Sequence, residues 1–135
     1  MSNQIQKVNL IGINKEGIKE DSNFRGHIFF PFKLSTYPDP RWVDIFRYKY
    51  GIYVHSKKRL FLEQRDDELV FDIRDDDDNP QTFYDILKEV VEATNRTVDR
   101  KNVRIVAEEK EREEKNREIR EKINRLKEKA DKIKM

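Results

Sequence analysis

The sequence predicts an α+β domain in which a small antiparallel sheet is covered by one or two helices, with a long charged helix at the C-terminus. Two features predict this class. Short β-type segments precede a strongly periodic helical segment, and such segregation is typical of α+β folds rather than of alternating βαβ units. From residue 107 onwards most side chains are charged. We therefore predict a globular domain over residues 1–106 and a protruding helix over residues 107–135.

The N-terminal part of the chain predicts two strands. Residues 5–13 contain closely spaced aliphatic side chains and predict the first strand, whereas the polar residues 15–26 predict a loop. Residues 27–34 carry apolar side chains at alternate positions, which is the pattern of a strand with one buried face. Pro31 lies in this second strand and has no N–H to donate. We therefore expect the strand to form a sheet edge or to carry a bulge.

A short helix and a group of strands are predicted next. Asp39 followed by Pro40 is a typical N-cap and first-turn pair. One face of the helix over residues 40–49 is then apolar, and it consists of Trp42, Ile45 and Phe46. Gly51 is predicted to end the helix. Three short β-type segments separated by polar turns then predict an antiparallel meander, over residues 52–56, 60–63 and 69–73.

The second helix has the strongest signals. Asn79 is placed to cap it and Pro80 to open it. Apolar side chains then follow the 3.6-residue period and predict a face that covers the sheet. This face consists of Phe83, Ile86, Leu87, Val90, Val91, Thr94 and Val98.

The C-terminal helix carries a candidate partner-binding seam. Residues 107–118 contain no apolar side chain larger than alanine, so nothing there can enter a core. Apolar residues then recur at spacings of four and three, as in the a and d positions of a coiled coil. The seam covers only about two and a half heptads, so self-association, docking on a larger protein and a lone helix all stay open. Its residues are Asn116, Ile119, Ile123, Leu126, Ala130 and Ile133.

Composition and missing motifs exclude several classes of function. The absence of cysteine excludes disulfides, thiolate metal sites and thiol catalysis. The N-terminus lacks the apolar segment of a secretory signal, and no apolar run reaches the roughly 18 residues that span a membrane. We therefore expect a cytoplasmic protein with no membrane partner. Glycine-rich phosphate-binding and metalloprotease motifs are also absent, so we expect no cofactor, no metal and no catalytic residue.

Two weak patterns keep a metal-dependent enzyme as the least favoured alternative. The acidic segment 75–78 with Asn79 matches the first ligand positions of an EF-hand loop, but Pro80 stands where that loop needs glycine. Asp39 and Glu63 resemble the carboxylate pair of the PD-(D/E)xK nucleases.

Neither pattern is complete. Arg65 stands where the nuclease motif has lysine, and Asp39 already has a role as a helix cap. His27 and His55 are the two side chains that could carry protons near neutral pH, and His55 would face away from Ser56 on a strand.

A basic and aromatic segment over residues 41–59 predicts nucleic-acid binding as the second-ranked function. Cationic side chains beside exposed aromatic rings can contact phosphates and stack on bases. The candidate residues are Arg47, Lys49, Tyr50, Lys57, Lys58 and Arg59. Trp42 and Phe46 belong to the packing face of the predicted helix, which weakens this interpretation. The first-ranked expectation is a non-enzymatic module for protein interaction or oligomerisation that binds itself or a larger protein through the C-terminal helix.

Overall fold

The structure, a computed structural model, describes residues 3–54, 61–74 and 79–135. The strands are β1 (Leu10–Ile13), β2 (Lys19–Glu20), β3 (Ile28–Leu34), β4 (Phe61–Arg65) and β5 (Glu68–Ile73), and the helices are α1 (Pro40–Val54) and α2 (Pro80–Asp131). A single 3-10 turn, Lys15–Gly17, lies between β1 and β2. The predictions that concern His55, Ser56, Lys57, Lys58, Arg59 and residues 75–78 fall outside the described residues.

The strands form one antiparallel sheet. Its order is β1-β3-β5-β4, and β2 pairs with β3 beyond the end of β1. This sheet with its two helices confirms the predicted α+β class. The predicted loop over residues 15–26 contains the 3-10 turn and β2, and the strand predicted over residues 5–13 is shortened to β1.

Pro31 lies in a central strand, so the prediction of an edge position is wrong. β3 pairs with β5 on one side and with β1 and β2 on the other. The Leu34 N–H donates to the Asp67 carbonyl on the β5 side, so the backbone groups of Pro31 face the opposite side. There the Pro31 carbonyl accepts from the Asn14 N–H at 3.1 Å. The backbone nitrogen of Pro31, which has no hydrogen to donate, therefore faces the 3-10 turn. At this turn the strand that pairs with β3 changes from β1 to β2.

Close packing between the 3-10 turn and Pro31 explains why residue 17 is glycine. A Cβ atom added at Gly17 would lie 2.8 Å from Pro31 Cγ, which is shorter than side-chain carbons tolerate. Asn14 holds the turn, because its side-chain oxygen accepts from the Gly17 N–H. Its amide nitrogen donates to Glu68 at 2.9 Å, which ties the turn to β5.

Helix α1 begins where the sequence predicts but ends later. Asp39 caps it, since its carboxylate accepts from the Arg41 N–H at 2.9 Å and its carbonyl from the Val43 N–H. The helix continues through Gly51 to Val54, so the predicted stop at Gly51 and the predicted strand from residue 52 are wrong. Glycine within a helix weakens it by about 1 kcal/mol, whereas glycine at a helix end is commonly left-handed, and Gly51 is not. In the described residues, Gly26 is the one glycine with positive φ.

The core lies between the sheet and the inner face of α2. Every residue predicted for that face is buried: Phe83, Ile86, Leu87, Val90, Val91, Thr94 and Val98. Phe83 stacks on Phe71 of β5 with ring centroids 4.6 Å apart, and Phe32 of β3 meets Phe71 edge-on. These aromatic contacts join both central strands to the helix.

Asn95 of α2 connects three parts of the domain. Its side-chain oxygen accepts from the indole N–H of Trp42 at 2.9 Å and from the Val8 N–H at 3.3 Å. Its amide nitrogen donates to the Val8 carbonyl at 2.8 Å. The side-chain amide of Asn95 thus bonds to the N–H and the carbonyl of Val8, which a neighbouring strand would otherwise bind. Ile5 and Val8 are buried although β1 begins only at Leu10, and Asn95 supplies the backbone partners of Val8 outside the sheet.

Helix α2 is continuous where the sequence predicts two helices. It runs from the Asn79 cap, whose side chain accepts from the Gln81 N–H, to Asp131. The chain divides into one compact unit over Ile5–Arg100 and a second over Lys101–Met135 with the chain start up to Gln4. This division falls a few residues before the predicted boundary at residue 106. Among the described residues, neither helix is long and apolar enough to cross a membrane.

Candidate interaction surface

The C-terminal part of α2 carries an exposed apolar stripe, defined as Ile119, Ile123, Leu126 and Ala130. The three large side chains are exposed by 55%, 46% and 54% of their areas. Their spacings of four and three residues place them on one side of the helix. The surrounding residues from 110 to 131 are exposed as well. The stripe is therefore a narrow apolar surface on an otherwise polar helix.

Two predicted seam residues stand apart from this stripe. Ile133 follows the last helical residue, Asp131, so it is not part of the helical seam. Asn116 is exposed one turn before Ile119 and extends the same side of the helix with a polar side chain. A polar residue at such a position fixes the register of a helix pair at a cost in stability.

The side chains that border the stripe are all basic. Taking Asn116 and Ile123 as a positions, the e and g positions within the helix are Lys115, Arg120, Lys122, Lys127 and Lys129. Lys115 pairs with Glu111 at 3.3 Å. In the part of the chain that the structure describes, the other four form no ion pair. The acidic residues of this stretch occupy b, c and f positions instead: Glu118, Glu121, Glu128 and Asp131.

These basic residues are the functional candidates that the sequence analysis missed. The heptad pattern of the sequence identifies them. Once the residues of the stripe are assigned to a and d positions, the residues at e and g follow from the spacing.

The nucleic-acid candidates on α1 are only partly accessible. Arg47 is exposed, Lys49 is half-buried, and Tyr50 stacks on Phe46 at 6.0 Å. Burial raises the pKa of the Tyr50 hydroxyl well above its usual value. Tyr50 is therefore a packing residue, and Tyr48 is the exposed ring of this helix, with 68% of its area accessible.

An open apolar cavity lies beside the exposed ring of Tyr48. Arg47, Tyr48, Gly51 and Ile52 line it. Its position on the outer side of α1 leaves one cation and one ring available to a ligand. The remaining candidates, Lys57, Lys58 and Arg59, lie outside the described residues.

The carboxylates considered for metal binding are paired with neighbouring arginines. Arg41 hydrogen-bonds to Asp39 and holds the pKa of that carboxyl below its usual value, although slight burial opposes this. Glu63 binds the guanidinium of Arg65 at 2.8 Å. Within the described ranges, no group of three or more potential metal ligands occurs.

His27 lies on the sheet face opposite α2. Its Nδ1 is 3.2 Å from Asp72 Oδ2, and its ring stacks on Phe24. The same Asp72 oxygen accepts from Arg74 at 3.3 Å, whereas Oδ1 of Asp72 is buried and has no hydrogen-bond partner among the residues that the structure describes. Asp72 of β5 thus contacts His27 and Arg74, which lie directly before β3 and directly after β5, and this is the arrangement of a structural contact.

The chain resembles no known protein closely enough to define a family. No family model, no curated protein and no solved structure matches it. The fold defines the protein as a member of the α+β class, and its function must be inferred from its own surfaces.

Proposed function

We propose that this protein is a non-enzymatic interaction module that binds a helix of another chain through the apolar stripe. The observation that supports the proposal is the exposure of Ile119, Ile123 and Leu126 on one side of α2. Aliphatic side chains spaced for a coiled-coil seam are stabilised when they pack into the holes of a facing helix. Full burial of such a side chain contributes roughly 1.5–3 kcal/mol, and about half of that remains to be gained by these half-exposed side chains, which supports association when several are buried together.

The polar character of the surrounding helix favours the same function. A helix that is polar on nearly all sides has little tertiary packing to stabilise it, and helices in water depend chiefly on such packing. A partner helix would supply that packing along the stripe. The proposed class of function therefore explains both the pattern of the stripe and the length of α2.

The proposal is tested with synthetic helical peptides of about four heptads that carry isoleucine at a and leucine at d. Binding of a labelled peptide to the full-length protein is measured by fluorescence anisotropy, and self-association by sedimentation equilibrium. The double variant Ile123→Lys/Leu126→Lys should abolish peptide binding, because charges would replace the apolar contacts.

A matched control makes the same change in net charge on the opposite side of the same helix. Glu121→Gln/Asn124→Lys should leave peptide binding within about twofold of the wild type, since these positions lie away from the stripe. The proposal fails if no peptide binds and the protein stays monomeric at high micromolar concentration. It also fails if the stripe and control variants bind equally well.

A second candidate function is nucleic-acid binding through α1. The exposed Tyr48 beside Arg47 favours it, because an accessible ring next to a cation can stack on a base and contact a phosphate. Arg47→Ala/Tyr48→Ala should then weaken binding of a labelled oligonucleotide in a gel-shift titration at low salt. An unchanged titration, or no binding by the wild type, would exclude this surface.

A further inference from the structure

We propose that the partner helix carries acidic side chains on both sides of its own apolar stripe, and that it is not a second copy of this chain. The inference rests on the proposed function, because it specifies the partner of the same surface. The basic e and g residues on both sides of the stripe are the observation that carries it.

Two copies in parallel orientation would place like charges together. In a parallel pair, each g residue faces the following e residue of the other helix. Lys115 would face Arg120, and Lys122 would face Lys127. Like charges at these positions weaken association and exclude wrong partners.

Antiparallel copies face the same difficulty. In that orientation e faces e and g faces g, and all five of these residues within the helix are basic. A staggered pair could bring the acidic residues 108–114 of one copy beside the basic residues of the other. The a and d positions there are Glu109 and Arg112, however, so the apolar stripe would face charges and remain uncovered.

An acidic helix satisfies both requirements of the surface. Its aliphatic a and d residues would cover the stripe, and its glutamates at e and g would pair with Arg120, Lys122, Lys127 and Lys129. These four side chains form no ion pair among the described residues, so they are available to a partner. Charge complementarity at e and g positions is the usual determinant of partner choice between helices.

The narrow shape of the stripe favours a helix over other anionic surfaces. A helix that lies on a membrane presents a broad apolar face, often with aromatic residues, whereas this stripe has only a and d positions and no aromatic ring. A nucleic acid would contact the basic residues but would leave the aliphatic side chains exposed to water.

The test uses three forms of the synthetic peptide that differ only at e and g, with glutamate, glutamine or lysine. At low salt the glutamate peptide should bind about tenfold more tightly than the glutamine peptide, and the lysine peptide should not bind measurably. The advantage of the glutamate peptide should shrink as salt is added, because screening acts on the charges and not on the apolar contact.

Charge reversal then assigns the preference to these residues. Arg120→Glu/Lys127→Glu should shift the preference from the glutamate peptide towards the lysine peptide. The control, Arg117→Glu/Arg125→Glu, makes the same change in net charge at b and c positions and should keep the original preference.

The possible results separate the two proposals. If the glutamine peptide binds as tightly as the glutamate peptide, the inference is overturned while the proposed function stands. Self-association of the wild type through the stripe, in sedimentation equilibrium, would likewise overturn the inference alone. Binding to vesicles that contain anionic lipid, without binding to any peptide, overturns both proposals.

Discussion

At the scale of single residues, Asn95 has the most consequential set of contacts. Its amide bonds to the buried indole of Trp42 and to both backbone groups of Val8. Removal of one partner leaves a buried donor or acceptor unsatisfied, and each such group costs roughly 1–3 kcal/mol.

The first prediction concerns this residue. Asn95→Ala should lower the free energy of unfolding by about 2–4 kcal/mol, because the Trp42 N–H and the Val8 backbone lose their partners together. Urea denaturation followed by the fluorescence of Trp42, the one tryptophan of the chain, measures the change. Arg96→Ala, at the exposed neighbouring position, is the control and should change the stability by less than about 0.5 kcal/mol. A similar loss in both variants would show that the Asn95 network has no special role.

The sequence could not have predicted this role. In the sequence Asn95 is a polar residue within the predicted second helix, and its bonding partner Val8 is distant along the chain. Local pattern can identify a residue as buried or exposed, but it cannot identify a bond between segments whose arrangement is unknown. The same limit applied to the 3-10 turn, where Gly17 meets Pro31.

At the scale of elements, long periodic segments and both helix starts were predictable, whereas the end of α1 and the start of β1 were not. The inner face of α2 follows the 3.6-residue period closely, and the structure buries every residue predicted for it. The sequence does not define the end of α1, because glycine occurs both within helices and, commonly in a left-handed conformation, at their ends. The stripe on α2 was visible in the sequence for the same reason as the core face, since both depend on helical spacing alone.

The second prediction tests the corrected end of α1. Gly51 is exposed within the helix, and a Cβ atom added there would meet nothing within 4 Å. Gly51→Ala should therefore raise the free energy of unfolding by about 0.4–1 kcal/mol, since alanine has the higher helix propensity and restricts the unfolded chain. Thermal and urea denaturation measure the shift. Destabilisation by alanine would indicate that the helix ends at Gly51 after all.

A contrasting substitution serves as the control for that measurement. Gly26 has a φ of 82° in the turn before β3, a conformation that alanine adopts only with strain. Gly26→Ala should lower the stability while Gly51→Ala raises it. The opposite signs separate a local backbone effect from a general effect of alanine.

At the scale of the whole molecule, the two compact units differ in what stabilises them. The unit over Ile5–Arg100 contains the sheet and every residue of the core, whereas residues 110–135 are exposed throughout. Hydrophobic burial is the dominant favourable contribution to folding, so the stability of the chain resides in the first unit.

The third prediction follows from this difference. A chain that ends at Val106 should fold and unfold cooperatively, with a melting temperature within about 3 °C of the full-length value at a concentration where both are monomeric. Circular dichroism measures the melting temperature, and the truncated chain should also lose peptide binding. A drop of about 10 °C or more would contradict the prediction, because it would mean that residues 107–135 stabilise the sheet.

The position of Pro31 has a further consequence for how the molecule behaves in concentrated solution. Pro31 faces the break between β1 and β2. The edge of the sheet on that side therefore consists of β1, with four residues, and β2, with two. Proteins protect sheet edges from pairing with other chains by keeping edge strands very short, and a typical strand has about five or six residues. The break opposite Pro31 thus leaves this edge with two strands that are both shorter than a typical strand.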